Sequence, residues 1–283
     1  MSGFTTRFAP SPTGLLHRGH AYSALTAFTA ARAVGGRFIL RIEDIDTTRC
    51  RPAFEAALLD DLTWLGLSWV QPVQRQSEHM ADYHSALQTL CDRGLAYRCF
   101  RTRREVAQDV ASAPHDRAIA FRSAPLPAKE EADRLARGEA FAWRLSLDAA
   151  KVTLGGFKDL VFEEEGSGPE GQRGRIPVDP DYLSDIILAR KDVGVAYHLA
   201  VTVDDARQGV THVVRGEDLF EATHIQRLLQ ALLNLPTPIY RHHALLRGAD
   251  GVRLAKRHNA ETLQSLRAAG VKPETLRRDL GFD

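Results

Sequence analysis

The sequence predicts an α/β protein with a parallel sheet that is interrupted by a smaller inserted module. Three features predict this fold class: a strand–loop–helix–strand unit at the start of the chain, strand and helix patterns after residue 185, and an irregular arginine-rich stretch between them. A βαβ unit of this kind builds parallel sheets with right-handed crossovers. The chain has 283 residues, 44% of them hydrophobic, which is enough to form a large core.

The N-terminal unit can be followed element by element. Residues 4–8 form a short extended stretch, and two prolines keep the loop at 9–14 out of helical conformation. Residues 19–34 are rich in alanine, with larger apolar residues spaced to share one buried face. Glycines 35–36 end this helix, and the apolar run at 37–42 predicts a buried strand.

The later elements are predicted from weaker patterns. Residues 163–181 contain glycines, prolines and acids, so they are expected to form a mobile surface loop. The expected helices are 52–65, 80–93 and 225–233, and the expected strands are 141–147, 185–189, 197–203 and 210–215.

Charge and hydropathy exclude several classes of protein. Lys and Arg total 37 and Asp and Glu total 36, and this net charge of +1 excludes a generally basic nucleic-acid coat. No stretch approaches the roughly 18 apolar residues of a transmembrane helix, and no secretory signal pattern begins the chain. Three cysteines without disulfide spacing predict a reduced, cytoplasmic protein.

The strongest local signal joins the first loop to the first helix. It consists of R-F-A-P-S-P-T-G at 7–14 followed by His17-Arg18-Gly19-His20. The start of a helix favours negative charge because its first N–H groups have no partner within the helix. Gly19 permits close backbone approach, and His17 and His20 can donate to phosphate oxygens, which predicts a phosphate site. Taken alone, the pattern also fits an ordinary loop with surface histidines.

Three further blocks follow in order. They are L-R-I-E-D-I-D-T-T-R at 40–49, Y-H-L-A-V-T-V-D-D at 197–205 and V-R-G-E-D-L at 214–219. Together with residues 17–20, which match the HIGH motif, they resemble the glutamyl/glutaminyl branch of the class I aminoacyl-tRNA synthetases. The resemblance covers residues 5–260 and implies a Rossmann-type catalytic domain that binds a nucleotide.

The resemblance also implies a division of the chain. Residues 1–97 and 186–260 would be the two halves of the catalytic domain, 98–185 an inserted acceptor-type module, and 261–283 a short helical C-terminal segment without an anticodon-binding domain. This plan is similar to the glutamyl-Q tRNA(Asp) synthetases. That family activates glutamate with ATP and attaches it to the queuosine base in the anticodon of tRNA(Asp).

The chemistry implied is adenylation of L-glutamate followed by acyl transfer, with Mg²⁺ entering as a complex with ATP. His17, His20 and Lys256 would be the catalytic residues, and together with Gly19 they would bind ATP. Arginine forks suit the carboxylates of the substrate, and Glu43 would pair with its ammonium group. The residues implied for the glutamate pocket are Arg7, Ala9, Ser11, Glu43, Tyr197 and Arg215.

The second nucleotide motif of the family, K-M-S-K-S, corresponds to R-L-A-K-R at 253–257. Lys256 retains the ammonium group that would meet the ATP phosphates. Arg253 and Ala255 depart from the motif, as Arg18 does from the aliphatic residue of HIGH. These departures leave open a catalytically silent tRNA-binding paralogue, and the short chain leaves open a glutamyl-tRNA synthetase that charges a 3′ end. The absence of G-x-G-x-x-G after the first strand disfavours a dinucleotide oxidoreductase.

The expectations for metals and partners complete the prediction. Family members often hold zinc in the inserted module with three cysteines, but no cysteine follows Cys99, and His115 is the nearest substitute. Zinc generally needs four ligands, so we expect no zinc and no metal site. We also expect a monomer, no membrane partner, and tRNA contact through arginines between 93 and 122.

Adjacent histidines occur at a possible strand end, His242 and His243. Neighbouring residues of a strand face opposite ways. At most one of the two can therefore approach a nucleotide.

Overall fold

The computed structural model describes residues 3–102, 104–106, 121–190, 194–246 and 261–282. Within these residues, the strands are β1 Thr5–Phe8, β2 Arg37–Ile42, β3 Val70–Arg75, β4 Ala96–Cys99, β5 Ala142–Leu145, β6 Val161–Glu164, β7 Gly174–Pro177, β8 Ile187–Arg190, β9 Gly194–Val195, β10 His212–Gly216 and β11 Ile239–His243. The helices are α1 Arg18–Ala33, α2 Pro52–Trp64, α3 Met80–Asp92, α4 Ala128–Ala136, α5 Leu147–Thr153, α6 Tyr197–Arg207, α7 Phe220–Leu233, α8 Leu263–Ala268 and α9 Pro273–Asp279.

The first sheet is the predicted N-terminal unit. Its order is β1-β2-β3, and both pairings are parallel. The central strand β2 is buried from its second residue to its last, which explains its apolar residues at 38–40 and 42. The α1 helix buries alanines together with Leu25 and Phe28 against this sheet. The strand expected at 37–42 and the helix before it are confirmed.

A second sheet has the order β10-β11-β6-β7 and continues the first. Strands β10, β11 and β6 are parallel, and β7 is an antiparallel edge strand. The β1 strand lies beside β10, because the Thr211 N–H donates to the Thr5 carbonyl (2.9 Å) and the Arg7 side chain reaches the Val214 carbonyl (3.5 Å). The strand order therefore reverses between β1 and β10, and open α/β sheets bind their ligands at such a point.

A separate antiparallel sheet has the order β4-β5-β8-β9. Its strands come from chain segments on both sides of the β6–β7 hairpin, which belongs to the second sheet. The range 98–185 thus contributes strands to two sheets. The division of the chain into 1–97, 98–185, 186–260 and 261–283 stays a prediction.

Two of the expected elements are wrong. The strand expected at 197–203 is the first part of helix α6. Its β-branched Val201, Thr202 and Val203 favour a strand locally, but packing of α6 against α3 and α7 overrides that preference. The mobile loop expected at 163–181 is wrong as well, because this range includes the end of β6 and all of β7, paired as a hairpin.

The two larger hydrophobic clusters of the described residues lie on either side of the β1–β10 junction. One packs α1, α2 and the C-terminal helices around the first sheet, and the other joins the second sheet to α6, α7 and the antiparallel sheet. Within the described residues, no helix is both long and apolar enough to cross a membrane.

A buried ion cluster connects the two halves of the chain. Arg41 of β2 is fully buried, and its Nη1 donates to Asp205 Oδ1 (2.8 Å) and Gln208 Oε1 (2.8 Å) of the α6 segment. Its Nη2 donates to Glu43 Oε1 (3.3 Å), and its Nε lies 3.7 Å from Asp204 Oδ2. Asp204 also accepts hydrogen bonds from three side chains of the first half, namely Gln74, Gln76 and Tyr83.

Replacing Arg41 tests the contribution of this cluster. Arg41→Met should lower the free energy of unfolding by about 3–5 kcal/mol, because it leaves buried carboxylates without their cation. Urea titration followed by circular dichroism measures the change. Arg37→Met is the matched control on the same strand, since Arg37 is exposed and its loss should cost less than about 0.5 kcal/mol. Equal stability of the two variants would contradict the assignment.

Candidate active site

A cavity of about 460 Å³ opens at the carboxyl ends of β1 and β10, where the strand order reverses. The loop after β1 forms one wall, the start of α1 a second, and the end of β10 with the segment after it a third. The residues that line it include Arg7, Ala9, Ser11, His17, Gly19, His20, Tyr22, Ser23, Glu43, Tyr197, Arg215, Asp218 and His243.

The helix start presents two imidazoles to this cavity. The Nδ1 of His17, the N-cap of α1, accepts from the Gly19 N–H (3.1 Å), and the Nδ1 of His20 accepts from the His17 N–H (3.2 Å). The two rings lie 3.8 Å apart. A neutral imidazole that accepts at Nδ1 carries its proton on Nε2, so both rings are set as Nε2–H donors. They add to the positive end of the helix dipole.

Two buried arginines form the floor of the cavity. Arg7 of β1 donates from Nε to Asp205 Oδ1 (3.1 Å), so the carboxylate holds it from behind. Arg215 of β10 is held by four different acceptors. They are His242 Nε2 (3.1 Å), Gln226 Oε1 (3.0 Å), the Leu219 carbonyl (3.0 Å) and Thr223 Oγ1 (2.7 Å). Guanidinium groups fixed in this way are suited to carboxylate or phosphate ligands.

Glu43 supplies an acidic group near these cations. The backbone N–H of Glu43 donates to the Pro10 carbonyl (3.0 Å), which ties the end of β2 to the loop after β1. Burial raises the pKa of the Glu43 carboxyl to about 7, although Arg41 and Arg7 act to lower it. This carboxyl therefore changes charge near neutral pH, and pairing with a ligand cation would stabilise its ionised form.

A second cavity, of about 850 Å³, adjoins the first. The two share Ser11, Glu43 and Tyr197 as lining residues. The far wall of the second cavity comes from β8, β9 and the residues beside them, including Arg190. The antiparallel sheet thus forms one wall of an opening that leads to the first cavity.

Of the ten site residues expected from the sequence, nine line the 460 Å³ cavity. The tenth, Lys256, lies outside the described residues, as do Arg253 and Ala255 of the same motif. Sequence reasoning missed the residues that hold the arginines from behind. Asp205 was visible as the last residue of a matched block, but its role depends on α6 being a helix.

The adjacent histidines of β11 face opposite ways, as their alternation requires. His243 lines the cavity, where its Nε2 lies 3.2 Å from Ser23 Oγ and its ring meets Tyr22 edge-on at 5.1 Å. Burial lowers the pKa of His243, which favours the neutral ring. His242 points into the protein interior instead, with a fully buried side chain.

The surroundings of Cys99 resemble a small apolar core. Its side chain is buried in a cluster with Tyr97 and Phe121. Across the described ranges, no group of three or more His, Cys, Asp or Glu side chains is arranged to hold a metal ion. His115 lies outside those ranges. The expectation of no zinc stays a prediction.

Two of the arginines expected to contact tRNA, Arg93 and Arg98, have partners within the protein. Arg93 donates to the Leu232 carbonyl, and Arg98 pairs with Glu131 while stacking over Trp143 at 4.5 Å. These contacts leave guanidinium surface partly exposed, and the tRNA contact through residues 93–122 stays a prediction.

Comparison with known proteins gives consistent relationships over nearly the whole chain. A family model described as tRNA synthetases class I (E and Q), catalytic domain, matches residues 4–282. The chain is 48% identical to a glutamyl-Q tRNA(Asp) synthetase of Rhodobacter capsulatus, with 98% of this chain and 99% of that protein covered. It is 41% identical to a protein of the same name from Symbiobacterium thermophilum, covering 98% of this chain and 85% of that one.

Longer relatives match over part of their length. A glutamate–tRNA ligase of Coprothermobacter proteolyticus is 37% identical over 96% of this chain, which corresponds to 56% of that ligase. A solved glutamate tRNA ligase from Elizabethkingia meningosepticum, in complex with its amino acid, superposes with a TM-score of 0.74 at 28% identity. That comparison covers 90% of this chain, and the chain spans about half (52%) of the ligase.

Proposed function

The chain belongs to the class I tRNA synthetase family (E and Q), and on this premise we propose that it activates L-glutamate with ATP and transfers it to queuosine in tRNA(Asp). The observation that carries the proposal is the near full-length match to relatives named glutamyl-Q tRNA(Asp) synthetase. The cavity supports the first half of this reaction, because it combines a helix start suited to phosphate with two arginines and the carboxylate of Glu43.

In the first step, an oxygen of the glutamate α-carboxylate attacks the α-phosphorus of ATP. The bond to pyrophosphate breaks, and glutamyl-adenylate forms. His17 and His20 donate from Nε2 to phosphate oxygens, and Gly19 allows the nucleotide to approach the backbone. Lys256 neutralises phosphate charge together with the Mg²⁺ that accompanies ATP. These groups act by positioning and by stabilising negative charge in the transition state.

Recognition of glutamate uses the floor of the cavity. Arg7 and Arg215 bind the carboxylates, since their guanidinium groups are already held in one orientation and lose little freedom on binding. Glu43 pairs with the ammonium group. Ala9, Ser11 and Tyr197 complete the walls of this pocket.

In the second step, a hydroxyl of the queuosine base attacks the carbonyl carbon of the adenylate. An ester forms, AMP leaves with the bonding electrons of the broken anhydride bond, and the proton of the hydroxyl is released to solvent. The 850 Å³ cavity is the route by which this acceptor reaches the adenylate, because it opens beside the antiparallel sheet and shares Glu43 and Tyr197 with the first cavity.

A second candidate function is charging of a tRNA 3′ end, which the identity to glutamate–tRNA ligases favours. The test incubates the protein with ATP, labelled glutamate and tRNA(Asp), with and without queuosine. The proposed function requires label only in queuosine-containing tRNA, in the anticodon fragment after nuclease digestion. Label at the 3′ adenosine would establish the second candidate instead. In queuosine-free tRNA, treatment with periodate before the reaction would then abolish labelling. Absence of glutamyl-adenylate would reject both.

Lys256→Ala tests the second nucleotide motif. We expect glutamate-dependent ATP–pyrophosphate exchange to fall by about 100-fold or more, because an ammonium that stabilises the transferring phosphate is lost. Thermal unfolding should be unchanged. Lys151→Ala is the matched control, since Lys151 is exposed on α5, far from the motif in sequence. Near-normal exchange by Lys256→Ala would remove this residue from the mechanism.

The raised pKa of Glu43 predicts a pH dependence. Below about pH 7 the free carboxyl is protonated and cannot pair with the substrate ammonium, so kcat/KM for glutamate should fall as the pH drops through that value. Exchange kinetics between pH 5.5 and 8.5 measure this inflection. Glu43→Gln should have low activity without the inflection. A variant that keeps the inflection would show that another group titrates.

Metal content and oligomeric state are open to direct measurement. We expect elemental analysis of the purified protein to find far less than one zinc per chain, and EDTA to leave the melting temperature unchanged, because Cys99 lies in an apolar cluster. Stoichiometric zinc would contradict this expectation. The monomeric state stays a prediction, and light scattering checks it.

A further inference from the structure

A buried pair of residues lies directly behind Arg215 and lines neither cavity. Glu164 ends β6, His242 belongs to β11, and the side chains of both are completely buried. Glu164 Oε2 lies 2.5 Å from His242 Nδ1, and His242 Nε2 accepts from Arg215 Nε (3.1 Å). These contacts connect three neighbouring strands. They run from the Glu164 carboxylate of β6, through the His242 imidazole of β11, to the Arg215 guanidinium of β10 in the cavity floor.

The carboxylate is itself fixed by the backbone. Glu164 Oε1 accepts from the N–H of Gly166 (2.8 Å) and from the N–H of His242 (2.9 Å). The chain turns so closely here that a Cβ on Gly166 would lie 2.1 Å from the His242 carbonyl oxygen. Only glycine fits at this position, and its N–H holds the carboxylate toward the ring.

This geometry selects one tautomer of His242. Arg215 Nε always carries a hydrogen, and it points at Nε2, so Nε2 must supply a lone pair. Thr223 Oγ1 also lies 3.4 Å from Nε2. The single proton of the neutral ring is then on Nδ1, where Glu164 accepts it. Burial lowers the pKa of His242, with Arg215 acting in the same direction and Glu164 against it, which agrees with a neutral ring.

We propose that Glu164 and His242 are positioning residues for glutamate binding, which hold the Arg215 guanidinium in its substrate-binding orientation by keeping the His242 proton on Nδ1. The inference rests on the proposed function, in which Arg215 binds a carboxylate of glutamate. It assigns to β6 and β11 a part in substrate recognition, although neither Glu164 nor His242 touches the cavity.

Glu164→Gln is the sharpest test, because it changes one atom. The amide oxygen keeps the two backbone donors, so the NH₂ group faces His242 Nδ1, which must then accept. The ring proton then moves to Nε2, where it faces the N–H of Arg215 Nε. Two donors in this position repel each other, so the hydrogen bond is lost. We expect the KM for glutamate to rise by about 10- to 100-fold, the range known for groups that orient the ligands of a metal ion, with the KM for ATP changed by less than about threefold.

The control and the second variant keep the test independent of folding. Glu163→Gln changes the exposed neighbour on the same strand and should leave both KM values unaltered. His242→Gln places a carbonyl oxygen near the former Nε2, so it should retain a lower KM for glutamate than His242→Leu. In the His242→Gln background, Glu164→Gln should add less than about twofold, because its effect acts through the ring. Additive effects would indicate a purely structural role and overturn the proposal.

A spectroscopic readout separates this inference from the proposed function. Imidazole ¹⁵N NMR should show the His242 proton on Nδ1 in the wild-type chain and on Nε2 in Glu164→Gln, with His242→Gln used to assign the resonance. A wild-type proton on Nε2, or an unchanged KM for glutamate in Glu164→Gln, would overturn the positioning role. Failure of the wild-type chain to activate glutamate would reject the proposed function, while the NMR result would still decide the tautomer.

Discussion

The buried contact between Arg41 and the aspartates of α6 is the interaction on which the rest of the structure depends. Arg41 belongs to β2 in the first half of the chain, whereas Asp204 and Asp205 follow more than 160 residues later. Charges buried in this way are costly unless they are paired, which favours the arrangement of the two halves that pairs them. That arrangement puts β1 beside β10, and the gap between their carboxyl ends becomes the cavity. Asp205 also accepts a hydrogen bond from Arg7. The contact that docks the two halves therefore also orients Arg7 in the site.

Each of the two arginines of the cavity floor is held by a buried carboxylate, one directly and the other through a histidine. Arg7 meets its carboxylate directly, through Asp205, while Arg215 meets Glu164 through the ring of His242. In both cases the negative charge lies behind the guanidinium, on the side away from the cavity. The cations therefore face a ligand in a fixed orientation, and their charge is offset without blocking the site.

The sequence predicted those parts of the site that lie close together along the chain. The loop after β1, the histidines at the start of α1 and the strand at 37–42 were all predicted, because turn chemistry and apolar runs are local signals. Helix α6 was misread, since the preference of Val201 and its neighbours for strands is weaker than packing against two other helices. The Glu164–His242 contact was invisible, because it joins residues 78 positions apart and needs the register of β6 with β11.

The edge-to-edge junction of β1 and β10 also bears on how the molecule reaches its native state. The hydrogen bonds between Thr5 and Thr211 close a separation of 206 positions, whereas β1 and β2 pair across only about thirty. Contacts between distant parts of a chain carry a larger entropic cost and slow the folding reaction. The N-terminal βαβ unit can thus assemble while synthesis is still under way, but its cavity gains its third wall only after β10 has left the ribosome. The capacity to bind a ligand is therefore acquired late, once β10 has joined β1.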